Sequence, residues 1–260
     1  MINFFLLFFQ HPRKILTNLS SLGWFVSSKR KFRKMLGKNS EFKAFILYPC
    51  LTDRKESSGT ASGHYFHQDL LVAQKIFAAQ PQKHVDVGSR INGFVAHVAS
   101  FREIEVMDIR PLVSEIPNIT FRQMDFMDTT LPNRNYCDSL SCLHAIEHFG
   151  LGRYGDPLDP DGHIKGFHNL YRLLKPNGTL YFSAPIGRQR IEFNAHRVFD
   201  VSYLLNMFKG KFDTVSFSYV DDKGDLHRNA ILAEPSIQQN FGCKWGCGIF
   251  ELKKTGNADI

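Results

Sequence analysis

The sequence predicts an α/β fold built around a mostly parallel seven-stranded sheet whose last strand is antiparallel. From residue 65 onward, short apolar runs of strand length alternate with segments of helical periodicity, as in a parallel sheet with helices on both faces. A glycine turn follows the first of these runs, at Gly88. The final run, residues 248–252, has no helix in front of it, so this strand is expected to enter antiparallel.

The elements follow in order along the chain. A helix is predicted at 65–79 because Phe66, Leu70 and Phe77 belong to a set of apolar residues at helical spacing. Two later helices are predicted at 162–174 and 201–208, and Lys175-Pro176-Asn177-Gly178 ends the first of them and turns into a strand. A turn at 221–225 precedes the last strand. The predicted strands are 84–87, 104–108, 119–124, 139–143, 179–184, 214–220 and 248–252.

Length and charge divide the chain into two regions. With 260 residues, 43% of them hydrophobic, the chain is long enough for one core of ordinary size. Residues 1–43 hold nine Lys or Arg against the single Glu41, so this region carries a charge of +8 and the rest of the chain −1, which gives the formal net charge of +7. We therefore predict a basic helical extension at 1–43 and a nearly neutral domain at 44–260. Because the charge is confined to the extension, nucleic acid is not an expected partner.

The extension opens with an apolar run over residues 1–9, far short of the roughly 20 residues that a membrane-spanning helix needs. Its positive charges follow the apolar run instead of preceding it, unlike a secretory signal. The expected location is cytoplasmic. Aromatic residues followed by Lys and Arg suit a segment on the inner, anionic face of a membrane. A helix packed on the domain with a solvated basic face explains the same pattern equally well.

The five cysteines are expected to be reduced. Their number is odd and the chain shows no export signal, so a disulfide framework is not predicted. Cys243 and Cys247 have three residues between them and no second Cys or His pair near them at zinc-ligand spacing. No metal site is predicted.

The segment His84-Val85-Asp86-Val87-Gly88-Ser89, followed by the acid Asp108 at the end of the next apolar run, predicts a site for an adenosine-type cofactor. Glycine lets the backbone approach a ligand, and a carboxylate about 20 residues later can accept hydrogen bonds from ribose hydroxyls. A dinucleotide site would have three glycines, but only Gly88 and Gly93 are present. Asp86 on the first strand suits a cationic amino group, which favours S-adenosylmethionine over NAD.

These features, together with Gln123-Met124-Asp125-Phe126 and Leu174-Lys175-Pro176-Asn177-Gly178, resemble class I S-adenosylmethionine-dependent methyltransferases, which have a Rossmann-like fold. More narrowly, the segment Glu147-His148-Phe149-Gly150-Leu151-Gly152-Arg153-Tyr154-Gly155-Asp156 and the segment Asn194-Ala195-His196-Arg197-Val198-Phe199 resemble the DUF268 methyltransferase-like family, found with surface-polysaccharide genes. The resemblance covers about residues 45–255.

The resemblance implies a set of cofactor-binding residues. Asp86, Gly88 and Ser89 would line the methionine end, and Asp108 would take the ribose hydroxyls. Asp125 would meet the adenine amino group, with Phe126 near the ring. Read as structural residues, Asp108 is a solvated strand end and Asp125 a helix cap or turn carboxylate. The complete predicted set is Asp86, Gly88, Ser89, Arg90, Asp108, Ile109, Asp125 and Phe126.

The segment His144-Ala145-Ile146-Glu147-His148 matches the inverted zinc-protease pattern, with two histidines as ligands and Glu147 as base. That pattern needs a long helix and a third ligand, whereas here it follows an apolar strand. In a methyltransferase, His144, Glu147 or His148 would instead accept the proton of a substrate hydroxyl, with His196 as a further candidate. The Asn/Asp-Pro-Pro-aromatic signature of nucleobase amino methylation is absent, which favours oxygen as the acceptor atom.

Arginines at 188, 190 and 197 follow the fifth strand and would suit the phosphate or carboxylate of an acceptor such as a nucleotide sugar. The expected function is therefore O-methylation of a sugar or surface-glycan precursor. Two alternatives stay open: a non-catalytic cofactor-binding or scaffold protein at a membrane assembly, and a zinc hydrolase acting through His144, Glu147 and His148.

Overall fold

The computed structural model describes residues 12–36, 40–42, 44–132 and 134–256. The chain divides into two compact units, Met1–Thr60 and Ala61–Ile260. In the first, helix α1 (Pro12–Met35) lies within the predicted helical extension, while the apolar run at 1–9 lies outside the described residues. The boundary placed at residue 43 stays a prediction. None of the helices in the described part of the chain combines the length and the apolar character needed to cross a membrane.

The second unit contains four helices and ten strands among its described residues. The helices are α2 (His64–Ala79), α3 (Ala96–Ala99, entered through a π-helical turn at Ile91–Val95), α4 (Gly162–Leu173) and α5 (Val201–Phe208). The strands are β1 (His84–Val87), β2 (Ile104–Asp108), β3 (Ile119–Gln123), β4 (Cys137–Leu143), β5 (Leu174–Ile186), β6 (Arg190–Glu192), β7 (His196–Val198), β8 (Phe212–Val220), β9 (Leu226–His227) and β10 (Gly246–Lys254).

The main sheet has the order β3-β2-β1-β4-β5-β10-β8-β9. Strands β1 to β5 pair in parallel, and β10 is antiparallel to both of its neighbours, β5 and β8. The predicted seven-stranded sheet with an antiparallel last strand is thus confirmed. The structure adds β9, a short edge strand that forms a hairpin with β8, and the two-stranded ribbon β6–β7 outside the sheet.

The fifth strand begins earlier than predicted. Leu174 follows α4 directly and pairs with Cys137, but the next pair is Thr179 with Ser139, so the register shifts between them. The predicted Asn-Gly turn lies inside this irregularity, where Asn177 has a φ of 59°. Asparagine tolerates the left-handed region better than most residues, which explains why the irregular backbone falls at this position.

Both faces of the sheet are covered, as predicted. Side chains alternate along each strand, so Phe182 of β5 and Phe250 of β10 pack on one face while Tyr181 packs on the other. The first face holds the apolar residues of α4 and α5, such as Phe167 and Phe208, and the second holds those of α2 and α3. Burying each large apolar side chain contributes roughly 1.5–3 kcal/mol.

This topology determines where a site can form. The parallel strands β1, β2 and β4 end at one edge of the sheet, the usual place for ligands in open parallel sheets. Because β10 runs antiparallel, its first residues lie at that same edge, where Cys247 pairs with Pro185 near the end of β5.

Candidate functional site

A cavity opens at the carboxyl ends of β1, β2 and β4. Apart from Tyr65 of α2, its lining comes from two groups of segments. We call the residues that follow β1, β2 and β3 the β1–β3 side, and the residues that follow β4 the β4 side. Eight of the predicted site residues line this cavity: Gly88, Arg90, Asp108, Ile109, Asp125, Phe126, His144 and His148. Four others do not line it: Asp86, Ser89, Glu147 and His196.

Gly88 forms the turn that opens the cavity after β1. Its φ is +74°, and a Cβ built on it would stand 2.8 Å from the Cβ of Ala145. Its N–H donates to the carbonyl of Met107, which ties the turn to β2. Any L side chain here would be strained and would also collide with the opposite wall. The glycine is therefore required for the two sides of the cavity to approach.

Asp86 and Ser89 support this turn from beneath. The fully buried Asp86 carboxylate accepts hydrogen bonds from the Ser89 N–H (3.0 Å), the Ser89 hydroxyl (2.7 Å) and the Ser141 hydroxyl on β4. Burial raises the pKa of Asp86 to about 6, although these hydrogen bonds act in the opposite direction. The expectation that Asp86 and Ser89 line the methionine end thus differs from the structure, in which their polar atoms bond each other and hold the turn.

Asp108 lies where predicted, at the end of β2, but it is already paired. Its Oδ1 accepts from the Arg110 backbone N–H (2.8 Å) and Nε (3.0 Å), and its Oδ2 accepts from Arg110 Nη2 (2.6 Å). A carboxylate offers about four acceptor sites, so about one remains. A ribose diol would therefore have to displace part of the Arg110 contact. The guanidinium also lies 4.4 Å from the ring centre of Tyr154, a second favourable position for it.

Asp125 and Phe126 form the far end of the β1–β3 side. Oδ1 of Asp125 accepts from the Met127 N–H at 2.8 Å, so this residue is a turn carboxylate as well as a cavity residue. Within the described residues, no hydrogen bond reaches its Oδ2. Phe126 is 4% exposed and stands with methionines at 107, 124 and 127 in the lining. These side chains make an apolar slot with one free carboxylate oxygen at its end, which suits a planar base with an exocyclic amine.

The β4 side includes the loop over residues 150–156, whose conformation is fixed by hydrogen bonds to Asp156. Both oxygens of Asp156 accept backbone N–H groups, from Gly150 (2.8 Å) and Gly152 (3.1 Å) on Oδ2 and from Tyr154 (3.0 Å) on Oδ1. This folding brings Arg153 and Tyr154 into the lining, and Arg153 donates to the carbonyl of Ala195 at 2.9 Å. Sequence reasoning gave neither residue a role. The signal available was the spacing of glycines at 150, 152 and 155 before an aspartate.

His148 has the features of a general base. Its Nδ1 lies 2.7 Å from the carbonyl of Ala195, and a carbonyl can only accept, so Nδ1 carries the proton and Nε2 keeps its lone pair. The side chain is 12% exposed and lines the cavity. Burial lowers the pKa of His148, more than the nearby Glu147 carboxylate raises it. Burial therefore favours the neutral ring, whose acceptor nitrogen is Nε2.

His144 and Glu147 form a buried pair behind it. His144 Nδ1 lies 2.7 Å from Glu147 Oε1, and the two side chains are 5% and 1% exposed. Burial disfavours a charged ring, but Cys247 and Glu147 beside it raise the pKa of His144 well above its usual value. His144 also has a φ of 49°, a strained backbone conformation that places it at the end of β4. Glu147 does not reach the cavity, so it positions His144 and does not itself meet a substrate.

The zinc-hydrolase arrangement does not form. Residues Ile146–His148 make one turn of 3-10 helix instead of the long helix that the pattern needs. Glu147 Oε1 is bound to His144 and lies 3.8 Å from His148 Nε2, so it stands between the two histidines. A metal bound by both histidines with Glu147 free as a base is not compatible with these contacts.

His196 lies on β7 at the rim. Its Nε2 is 3.2 Å from Trp245 Nε1 and 3.1 Å from Glu192 Oε2. It is outside the cavity lining, so the prediction of a base at His196 has no direct contact to support it.

The arginines after β5 are mostly occupied. Arg197 is 4% exposed and donates to backbone carbonyls of Phe149 (2.6 Å), Pro160 (3.1 Å) and Glu147 (3.3 Å). Arg190 pairs with Glu192 and donates to the carbonyl of Lys244. Neither arginine lines the cavity, so these contacts give no support to the expectation that Arg190 and Arg197 bind an acceptor phosphate, which stays a prediction. The arginines that do line the cavity are Arg90, Arg110 and Arg153.

Comparison with known proteins gives one family and a common fold. The model of the DUF268 family, described as a Caenorhabditis protein of unknown function, matches residues 93–239. A comparison with curated proteins gives no match. One similar solved structure is the 1,6-didemethyltoxoflavin-N1-methyltransferase of Burkholderia thailandensis with bound 1,6-didemethyltoxoflavin and S-adenosylhomocysteine, at 15% identity and a TM-score of 0.50, covering 95% of this chain and 91% of that chain.

Another is the N-methyltransferase NodS from Bradyrhizobium japonicum WM9, at 9% identity and a TM-score of 0.51, covering 75% of this chain and 99% of that chain. At such low identity the likeness concerns the fold alone. The expected Rossmann-like fold of class I methyltransferases is confirmed by it and by the strand order of the sheet.

Proposed function

The chain belongs to the DUF268 family and has the fold of class I methyltransferases, and on this basis we propose that it is an S-adenosylmethionine-dependent methyltransferase that modifies a hydroxyl of a sugar or glycan precursor. One observation carries the proposal. A single cavity brings together the Gly88 turn, the carboxylate of Asp108 and the apolar slot that ends in Asp125. These groups are arranged in the order in which an adenosine-containing ligand presents its sulfonium, ribose and base.

In this proposal, each part of S-adenosylmethionine has a matching group in the lining of the cavity. The purine fits between Phe126 and the methionines, with its amino group toward Asp125 Oδ2. The ribose hydroxyls bond Asp108 after Arg110 moves onto Tyr154, whose ring is already in contact. The amino-acid end lies over Gly88, where Arg90 lines the same wall and its fork of N–H groups can bind a carboxylate.

His148 is the base we propose for the transfer. As the acceptor oxygen forms its bond to the methyl carbon, the hydroxyl proton passes to His148 Nε2, whose lone pair is kept available by the Ala195 carbonyl on Nδ1. When bound, the cofactor would supply an electrophilic methyl group, with S-adenosylhomocysteine as the leaving group. Aligning oxygen, carbon and sulfur in one cavity removes much of the entropic part of the barrier.

Two features favour a sugar hydroxyl as the acceptor. The residues at the end of β4, Ser141-Cys142-Leu143-His144, differ from the nucleobase amino-methylation signature. Beside His196 at the rim stands Trp245, whose indole is 47% exposed and whose N–H donates to that histidine. An exposed aromatic face with polar groups around it suits a sugar, which has apolar C–H faces and a hydroxyl edge. Arg153 adds a cation for an acceptor that carries phosphate or carboxylate.

Calorimetry with S-adenosylhomocysteine tests the cofactor assignment. We expect measurable binding to the wild-type protein and a loss of affinity of about 10- to 150-fold in Asp108→Ala, because hydrogen bonds to a charged group contribute roughly 1.5–3 kcal/mol. Asp213→Ala removes an exposed acid of β8 outside the cavity and is the matched control. Equally weak heats from all three proteins would overturn the proposal. The acceptor class is tested by mass spectrometry of the host's glycans with and without the protein, where a missing methyl group is expected.

For helix α1 we propose contact with an anionic membrane surface. The helix contains no Asp or Glu, and Arg30, Lys31, Arg33 and Lys34 are all exposed. Arg30, Arg33 and Lys34 are spaced i, i+3 and i+4, so they share one face of the helix. This basic face favours electrostatic attraction to an anionic surface, roughly 1 kcal/mol per basic residue. Sedimentation with vesicles containing phosphatidylserine, but not with pure phosphatidylcholine vesicles, is the expected result. Replacing the four residues by Gln should abolish it, and binding that survives this change would contradict the proposal.

A further inference from the structure

Three side chains from distant parts of the chain meet beside the cavity. His64 is the first residue of α2, His144 follows β4, and Cys247 is the second residue of β10. One ligand atom from each, a ring nitrogen or the sulfur, lies within 4.8 Å of the other two. The fold brings them together because β10 begins at the edge where β4 ends.

His144 presents an unused nitrogen to this cluster. Its Nδ1 bonds Glu147 Oε1 at 2.7 Å, and within the described residues its buried Nε2 has no hydrogen-bond partner. A buried polar atom left without a partner costs free energy of roughly 1–3 kcal/mol unless something binds it. A histidine whose other nitrogen is held by a carboxylate is the usual arrangement of a metal ligand, since the carboxylate orients the ring and makes it more basic.

The other two groups are also available as ligands. The His64 ring lies parallel to that of His144, with 5.3 Å between the ring centres. Two imidazoles on one tetrahedral ion have centres about 5 Å apart, given metal–nitrogen bonds of about 2.0 Å. The Cys247 sulfur is buried, and its contacts are long ones to oxygens of Gln68 (3.7 Å) and Gly248 (3.9 Å). His64 is only partly buried, so its ring can rotate to complete the geometry.

We propose that His64, His144 and Cys247 bind a zinc ion, with Glu147 holding His144 in place. Two nitrogens and one sulfur are ligands that zinc prefers, whereas magnesium and calcium prefer oxygen. Three protein ligands leave a fourth position open, as in catalytic zinc sites. The proposal concerns metal binding and does not depend on methyl transfer. Its consequence for the cavity is that His144, as a ligand, is not free to act as a base, which leaves that role to His148.

Metal analysis of the full chain tests the site. Protein loaded with zinc and then dialysed should retain about one zinc per chain by mass spectrometry. Cys247→Ser and His64→Gln should each lower the zinc affinity by about 100-fold or more, and Glu147→Gln by about 10–100-fold, the usual cost of removing a partner of a ligand. Cys50→Ser and His67→Gln change the same residue types outside the cluster and should have no effect.

Cobalt substitution gives a second readout that does not rely on affinity. The wild type and Cys50→Ser should show a thiolate-to-cobalt charge-transfer band, and Cys247→Ser should lose that band while circular dichroism shows an unchanged fold. If Cys247→Ser does not fold, His64→Gln decides the matter, because a weaker cobalt complex with the thiolate band retained is then expected. Retention of less than about one tenth of a zinc per wild-type chain, or equal losses in the Cys50 and Cys247 variants, would overturn the proposal.

Discussion

The two sides of the cavity are built in different ways. The β1–β3 side consists of short segments that each lie within a few positions of a strand end, such as Gly88, Asp108 and Asp125. The β4 side depends on contacts between distant parts of the chain: His148 is oriented by Ala195, and His144 meets Cys247 and His64. A wall built from residues close together in the sequence can be predicted from sequence patterns. A wall that depends on contacts between distant segments can be recognised only in the folded structure.

The difference also concerns charge. On the β1–β3 side the acidic groups are partly paired: both oxygens of Asp108 are bound to Arg110, and one oxygen of Asp125 is bound to a backbone N–H. On the β4 side His148 lines the cavity, and within the described residues no hydrogen bond reaches its Nε2. The first side is suited to binding and the second to proton transfer. Variants that affect one side and leave the other unchanged therefore test this division.

Replacement of His148 should give the largest effect. We expect His148→Ala to lower turnover by about 10²–10⁴-fold, the usual contribution of a general base, with the affinity for S-adenosylhomocysteine nearly unchanged. Transfer of a labelled methyl group to a glycan extract measures turnover, and calorimetry measures affinity. An equal fall in both would show that the two sides are not separable. Unchanged turnover would remove His148 as the base.

The next effect separates two glycines of the same loop. Gly150 and Gly155 have similar positive φ values, +79° and +83°, but a Cβ on Gly150 would stand 2.0 Å from the carbonyl oxygen of Asp159, while Gly155 has nothing within 4 Å. Gly150→Ala should lower the free energy of unfolding by about 2–5 kcal/mol, from backbone strain plus overpacking. Gly155→Ala should lower it by about 1–2 kcal/mol, from strain alone. Urea unfolding compares them, and equal losses would contradict the packing described for this loop.

Asp86 gives a pH-dependent test of the β1–β3 side. Its pKa is raised by burial from 3.8 to about 6, so the folded protein binds this proton more tightly than the unfolded chain does. The resulting stabilisation is complete below about pH 4 and is lost as the pH rises through about 6. The free energy of unfolding of the wild type, relative to Asp86→Asn, should therefore fall by about 2.4 kcal/mol between pH 4 and 7. If the difference in the free energy of unfolding between the two proteins does not change with pH, burial does not raise the pKa of Asp86. Asp213→Asn, which changes an exposed acid, is the control.

The smallest effect is expected at the rim. Trp245→Ala should raise the KM for the acceptor by about 3- to 10-fold, since aromatic contacts contribute about 0.5–1.5 kcal/mol, with cofactor affinity unchanged. Trp24→Ala removes another partly exposed tryptophan, in the first unit, and is the control. A change in cofactor affinity in Trp245→Ala would show that the rim belongs to the cofactor site and would shift the division proposed above.

The success and failure of sequence reasoning follow the same division. Helix α5 has the predicted bounds because apolar spacing and the following Lys-Gly are local signals. No strand is predicted over residues 190–198, where polar and apolar residues mix without strict alternation, and the pairing of the β6–β7 ribbon is visible only in three dimensions. Arg197 is a case in which the local pattern suggests more than the structure supports. An arginine at this edge suggests phosphate binding, but its guanidinium donates to the backbone carbonyls of Phe149 and Pro160.

Asp86 shows what cannot be predicted from sequence for a residue on a strand: the direction in which its side chain points. An acid in an apolar strand indicates that its side chain is special, but the sequence does not say which way the strand faces. The register of β1 with β4 brings Ser141 opposite Asp86, and that serine supplies the hydrogen bond that turns the carboxylate inward.

The position of β10 has a consequence for how the molecule is made. This strand inserts between β5 and β8, so the sheet stays split until residues 246–254 have left the ribosome. Trp245 and Cys247 arrive with it. The residues that line the cavity all lie between 65 and 156, so they leave the ribosome before this strand does. A nascent chain released before this strand would hold the lining of the cavity but would lack the Cys247 thiol beside His64 and His144.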